Sequence, residues 1–315
     1  MDILNYKVYS IFAWAFCLVP QFRAKAQFPE LIVKSGQILE LPARTHQYSR
    51  IDIEKGARLT IKENSQAWCI LYCTGDVTIK GAIIFRKFLS TNKSINAISP
   101  SGEQLTHTYS LENIGGGGGD GGEGFGSPRG IGGGGAQGTN AFGGGGGSGA
   151  AVIINFPHPH QSRNGNNGNG SSGGRRQFTH DGEGGDGGKR GKFSNGGLLF
   201  IYCQGDFDGE GGEIHLQGEP GENGQDGLVG EDAVWLAGGG GGGGGAPGGE
   251  GGRLLVKVSG NYISYPTVFV EGGKPGKGGL GKNNVKGQMA VPPLKGGKDG
   301  RNGEEGAEGL VDFLN

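Results

Sequence analysis

An excess of charge of either sign is missing from this sequence. Lys and Arg total 29 against 30 Asp and Glu, a net charge of −1. No basic surplus draws the chain toward nucleic acid, and no basic helix draws it toward an anionic membrane. Cysteine is scarce, with four in 315 residues. Cys17 sits in an N-terminal apolar stretch, and the remaining Cys69, Cys73 and Cys203 are an odd set, which argues against a full disulfide framework. Proline is scarce where a collagen would need it. No apolar run beyond the N-terminus is long enough to cross a bilayer.

Catalytic and ligand-binding motifs are missing as well. No G-x-S-x-G occurs in an α/β context. The segment 184–189 resembles a phosphate loop only faintly: no apolar strand leads into it, and no Ser or Thr follows Lys189. Aspartates among the glycines lack the apolar partner spacing of a calcium-binding nonapeptide. His158 and His160 form the one close histidine pair, with no Cys or carboxylate at ligand spacing. The expectation is therefore no enzyme, no metal and no cofactor.

What is present in abundance is glycine, 74 residues. Pure blocks occupy Gly115–Gly119, Gly143–Gly147 and Gly238–Gly245. Elsewhere glycine recurs every third residue: Gly115, Gly118, Gly121 and Gly124; Gly182, Gly185, Gly188 and Gly191; Gly218, Gly221, Gly224 and Gly227; and from Gly297 to Gly309. Three residues per turn is the period of polyproline-II geometry, which has no internal hydrogen bonds. Glycine runs lose the most backbone entropy on ordering. Such segments are either disordered linkers or helices packed side by side, exchanging N–H···O=C bonds at close approach. In an ordered bundle, pure glycine marks central helices and mixed triplets mark outer ones with charged residues facing water.

The first 26 residues read as a secretory signal peptide. Lys7 starts it, Val8 to Pro20 is largely apolar, and Ala24-Lys25-Ala26 has the form of a cleavage site before Gln27. The mature chain is expected to be secreted, at the cell surface or beyond it, with no membrane insertion after cleavage. Residues 27–113 read as an N-terminal β domain and 114–315 as a glycine-rich domain. Short runs at 51–53, 59–61, 70–72, 77–79 and 82–84 are apolar or alternating, with turns at 54–56, 63–65 and 74–76 between them. Residues 91–113 are polar and read as a loop.

An internal repeat links the two parts. Residues 69–77 (CILYCTGDV) match 199–207 (LFIYCQGDF), and 253–262 (RLLVKVSGNY) follows the same outline. Cys73, Cys203 and Val258 become equivalent, as do Gly75, Gly205 and Gly260. A second strand follows each copy, beginning at Ala82, Glu213 and Thr267. Three like rungs result, with the glycine segments as excursions between them. In a parallel stack Cys73 and Cys203 would be neighbours about 4.8 Å apart, as buried thiols or as a bridge. Cys69 and Cys73 cannot pair locally, since four strand residues span about 13 Å. The fold class is all-β: short-strand β-solenoid or sandwich rungs with an inserted polyglycine-II helix bundle, and almost no α-helix outside the signal peptide.

On the strand GGLLFIYCQGDF, the turn GEIHLQGEPGENGQDG, the long glycine block and the strand GGEGGRLLVKV, residues 196–281 resemble glycine-rich exported β-solenoid proteins of bacteria. The glycine blocks over about 110–310 are similar to the polyglycine-II sandwich of receptor-binding tip adhesins on tailed-phage long tail fibres, and to glycine-rich antifreeze proteins of arthropods. The signal peptide departs from the phage adhesins, which assemble in the cytoplasm. The resemblance implies a rigid scaffold whose loops bind a surface. Candidate contact residues are Phe125, Phe142, Phe156, His158, His160, Arg175, Arg176, Phe178 and Trp235, since aromatics and Arg carry binding energy disproportionately; each Phe reads equally as an inward plug. The functions that follow are a non-enzymatic adhesive or structural protein that self-associates or binds a cell-surface or glycan ligand, or an ice- or carbohydrate-binding module. A polysaccharide lyase needs an acidic or basic cluster that cannot be assembled here.

Overall fold

The structure is a computed structural model of the chain. It describes residues 28–62, 68–88, 94–98, 102, 104–108, 116–120, 133–137, 145–148, 151–153, 161–163, 167–168, 172, 195–229, 239–282 and 296–315. The expected signal peptide, the turn at 63–65 and the triplets at 182–191 lie outside these residues. The described part is all-β, with no helix and with parallel multi-strand sheets.

The chain visits three sheets in turn, and it does so five times. The first circuit is β1 (Glu30–Val33), β2 (Ile38–Pro42) and β3 (Thr45–Tyr48); the second is β4 (Arg50–Ile53), β5 (Arg58–Lys62) and β6 (Trp68–Cys73). The third begins with β7 (Val77–Ile79) and β8 (Ala82–Ile84). It then detours through β9 (Arg86–Phe88), β10 (Ser94–Ile98), β11 (Gln104–Thr108), β12 (Ala151–Ile153), β13 (Gln161–Arg163) and β14 (Asn195–Gly196), and closes with β15 (Leu198–Cys203). The fourth is β16 (Phe207–Asp208), β17 (Glu213–His215) and β18 (Arg253–Val258); the fifth is β19 (Tyr262–Ser264), β20 (Thr267–Phe269) and β21 (Leu310–Leu314). The sheets are ordered β1-β4-β7-β16-β19, β2-β5-β8-β17-β20 and β3-β6-β15-β18-β21, all parallel. Strands from both sides of residue 114 share every sheet.

Alternation explains the strands. In β4, β5 and β7 every second residue is buried (Ile51 and Ile53; Leu59 and Ile61; Val77 and Ile79), and these inward side chains from all three sheets form one core. The turn from the first sheet to the second carries Gly36, Gly56 and Gly211 at φ of 77°, 80° and 71°, a left-handed conformation that side-chain-bearing residues resist. The repeat read from sequence coincides with the ladder. Cys73 stands opposite Cys203 and Cys203 opposite Val258, while Ala82, Glu213 and Thr267 share a column.

The third sheet is covered on its outer side too, so every residue of β15 is buried. Residues 91–113, read as a loop, contain the antiparallel hairpin β10–β11. Its Ala97 and Leu105 pack on Ile70, Phe200 and Leu255, while Asn96, Gln104 and Thr106 face water. So few apolar residues give no visible period, and it is the apolar outer face of the sheet that orders them. Arg253 ties the layers, donating from Nη1 to Thr106 O at 2.7 Å and pairing with Asp312 through Nε and Nη2.

From the second circuit on, the longer insertions between strands leave at the same corner, between the second and third sheets. In the last two circuits an arm runs out after β17 or β20, and a second arm returns to β18 or β21. The arms bond to one another every third residue. Gly218, Gly221, Gly224 and Gly227 donate to the carbonyls of Glu271, Lys274, Lys277 and Leu280 at 2.8–2.9 Å, continuing the β17–β20 pairing outward. Gly242, Gly245, Gly248 and Gly251 donate to Lys298, Arg301, Glu304 and Ala307, continuing β18–β21. Residues 239–250 are all buried, whereas burial in 271–280 repeats exposed, intermediate, buried with period three.

The segment 239–252 is the centre. It donates to 216–228 through Gly243, Ala246 and Gly249, to 298–307 as above, and to Gly147 through Gly241. It accepts from Gly273, Gly276 and Gly279 on one flank and from Gly116 and Gly119 on another. A Cβ on Gly245 would lie 2.0 Å from Gly276 O, and one on Gly244 would lie 1.8 Å from Gly116 O. At Gly117 the nearest atom to an added Cβ is Ala136 O at 3.7 Å, an ordinary contact. Gly245→Ala is therefore expected to cost about 3 kcal/mol or more, because backbone on several sides cannot yield. Gly117→Ala is expected to be within about 1 kcal/mol of neutral, the lost chain entropy offsetting any crowding. Denaturant midpoints of the two variants measure the difference.

Candidate functional site

A parallel strand presents a row of N–H and C=O groups on each side, so the first and last strand of a sheet have one row without a strand partner. Here all three sheets end together. One end is made by β1, β2 and β3, the other by β19, β20 and β21. The core is also open at these places. Its middle circuits are buried, while its partly buried members, Leu39, Leu41, Tyr262, Val268 and Phe313, all belong to the first or last circuit. Exposed large apolar residues gather there too: Ile32 and Ile38 at one end, Ile263, Tyr265, Leu310, Val311 and Leu314 at the other.

The last circuit is filled by aromatic rings. Tyr262 and Tyr265 stack with centroids 5.3 Å apart, and Phe313 meets both edge-on at 5.9 and 4.8 Å. The Tyr262 hydroxyl reaches back 2.8 Å to Val256 O and lies 3.0 Å from Leu314 O, which pins the ring across the end of the core. Ile263 bulges out of β19, where Phe207 and Asp208 face Tyr262 and Ser264. These residues were not singled out from sequence, because nothing in a strand's composition says that the stacking stops there. The one available signal was LVDFL at 310–314, which repeats the outline of β18.

The corner after the third sheet is closed by glycine and Asx residues in register. Gly205 N donates to Gly75 O at 3.0 Å. A Cβ on Gly205 would fall 2.2 Å from Asp76 Oδ1, and one on Gly260 would fall 2.4 Å from Gly205 O. Asp206 N donates to Asp76 Oδ1 at 2.9 Å, and Asn261 N to Asp206 Oδ1 at 2.8 Å. Cys73 and Cys203 are free thiols whose S–H groups meet the carbonyls of Asp76, Gly75 and Asp206 at 3.3–3.4 Å. Cys69 is free and buried as well.

The flanks of the glycine arms are treated differently from the strand ends. Asn223 and Asp226 accept the N–H groups of Lys277 and Leu280 through Oδ1, both at 2.8 Å. Asn302 and Asp299 accept those of Gly278 and Gly281 at 3.0 and 2.7 Å. Lys282 pairs with Asp226, and Lys298 with Asp120. Outer triplet residues thus occupy backbone donors that a further glycine arm would otherwise use.

Phe125, Phe142, Phe156, His158, His160, Arg175, Arg176, Phe178 and Trp235, the contact residues expected from sequence, lie outside the described residues. Among the described residues no three His, Cys, Asp or Glu gather as metal ligands. No known protein family, curated protein or solved structure matches this chain.

Burial pushes the Cys69 and Cys203 thiols up to about 12 from 9.0 and raises Cys73 also; it pushes the Tyr262 phenol up to about 12 from 10.0. In the unfolded chain these groups ionise at lower pH than in the folded one. The stability they contribute is whole below pH 9 and is lost as the pH rises toward 12. Denaturation at a series of pH values is expected to show a decline confined to that alkaline window. The native thiols are expected to ignore a disulfide reagent at pH 8 and to react once the chain is unfolded.

Proposed function

We propose that the chain is an exported, non-enzymatic scaffold: a three-faced β-solenoid of five rungs that carries a polyglycine-II bundle at one corner. A solenoid is favoured over a sandwich because every sheet takes one strand from each circuit and all pairings between circuits are parallel, whereas sandwiches are built from antiparallel strands. Polyglycine-II geometry is favoured because bonding between neighbouring arms and burial both repeat every third residue. The signal-like N-terminus supports release from the cell, as a secreted or surface-attached protein. Self-association, or capture of a cell-surface or glycan ligand, is the activity that fits a stiff body of this kind.

The observation that carries the reading is the segment 239–252, whose peptide groups bond outward in several directions while its residues stay buried. A tether would have no use for that arrangement. The outward columns of the second sheet are mixed, running Ile38, Arg58, Ala82, Glu213, Thr267 and Glu40, Thr60, Ile84, His215, Phe269. They do not form the uniform Thr or small-residue grid that an ice-binding face calls for, so the scaffold reading is preferred. Amide hydrogen exchange tests it. Protection lasting hours is expected across 240–252, 273–281 and 297–309, and exchange within seconds there would reduce the glycine half to a linker.

A further inference from the structure

We infer that a second copy of this chain docks on the last circuit, placing its own β1, β2 and β3 against β19, β20 and β21 and continuing all three sheets head to tail. The inference rests on the solenoid reading above and names the partner and register of its open ends.

Three observations carry it. The first is the shape of the opening. The core is incompletely covered at its two ends, and its partly buried side chains there are apolar: Leu39 and Leu41 at one end, Tyr262, Val268 and Phe313 at the other. Only a body that offers three parallel edges in the same arrangement can pair with all of β19, β20 and β21 at once, and the first circuit of another copy is such a body.

The second is a bonding step that repeats along the second sheet. Arg58 N donates to Gln37 O, Ala82 N to Ala57 O, Glu213 N to Gly81 O and Thr267 N to Gly212 O, at 2.9–3.0 Å each. The next step in the series is Ile38 N of the neighbouring copy donating to Pro266 O. That register sets Ile38 of the neighbouring copy beside Thr267, its Leu39 over Val268 and its Glu40 beside Phe269. In the third sheet the column Thr45, Ile70, Phe200, Leu255, Asp312 places Thr45 of the neighbouring copy beside Asp312 and its Gln47 beside Leu314. Pro42, which lacks a donor, falls beyond the three residues of β20, so it removes no bond from the junction. The Ile263 bulge makes the first sheet the weakest of the three contacts.

The third is that sideways growth is opposed along the described flanks of the outer arms. Side-chain acceptors and ion pairs on the outer arms occupy donors through which bundles would add sideways. Each added copy is displaced along the stacking direction of the strands, so this contact between unlike ends has no rotation that closes a ring and the product is an open filament.

Sedimentation of the purified full chain over about a hundredfold concentration range is expected to show a ladder of oligomers growing by mass action. Ile38→Lys alters a side chain that is 65% exposed and is expected to lower the assembled fraction about tenfold while leaving the fold intact. Mixing Thr267→Cys chains with Ile38→Cys chains under oxidation is expected to give one intermolecular disulfide, since paired strands bring Cα atoms to about 5 Å. Neither variant should bridge to itself. A chain that stays monomeric throughout, or a Thr267→Cys chain that dimerises alone, would overturn the inference. A monomer whose residues 240–252 still resist exchange overturns head-to-tail docking and leaves the scaffold reading standing; an unprotected monomer removes both.

Discussion

Every buried peptide group must find a hydrogen-bond partner, and in this chain that requirement decides more than side-chain burial does. A stretch such as 239–245 has no apolar surface to hide and no helix or sheet ladder of its own. Its N–H and C=O groups bond to several different segments, so a single neighbour cannot satisfy them. Order comes only when several such segments surround it. The absence of Cβ atoms is then a condition of the packing, because carbonyl oxygens stand about where those atoms would be. Glycine's entropic penalty is offset collectively, by many bonds of modest net value, each on the order of 1 kcal/mol.

Such a set of arms needs something to set its register, since segments without side chains can slide past one another as flat strands do. The β circuits supply it. Apolar side chains at alternate positions fix β17 against β20 and β18 against β21. The arms leave from the end of one sheet and return to the start of the next, so each inherits its neighbour's offset. Gly218 bonds to Glu271 one step beyond the β17–β20 ladder, and Leu310 N bonds to Gly252 O where the returning arms become strands. The side-chain core and the glycine bundle are one stack, ordered by hydrophobic burial on one side of a corner and by peptide groups on the other.

This explains which parts were legible in the sequence. The strands at 51–53, 59–61, 70–72, 77–79 and 82–84 announce themselves by alternation, and the copies centred on Cys73, Cys203 and Val258 by resemblance to one another. The glycine period gave the spacing of the arms' bonds. The first circuit, 30–48, reads as part of a β region, but its strands do not stand apart, because β2 and β3 carry Glu40, Pro42, His46 and Gln47 and lack the Cys-x-Gly corner. The hairpin at 94–108 is ordered by a face it covers, which no local pattern reveals. The open ends are a property of where repetition stops, so no residue there has a signature of its own. The aromatic and histidine positions named as contacts lie outside the described residues and have no part in this comparison.

The contrast between two kinds of edge is the last consequence of building with backbone. Any strand or glycine arm at a boundary exposes donors and acceptors, and a chain that left all of them open would aggregate in every direction. Asn223, Asp226, Asp299 and Asn302 remove that option along the arms with one side-chain oxygen each, at positions where the triplet repeat points outward in any case. Among the described residues no hydrogen bond of this kind caps β20, and its neighbours Pro266 and Val270 are apolar. A boundary capped at several donors along the arms and left apolar at the sheet ends has a direction built into it. That direction follows from the placement of four small polar side chains against a background of glycine, with the hydrophobic core supplying the axis.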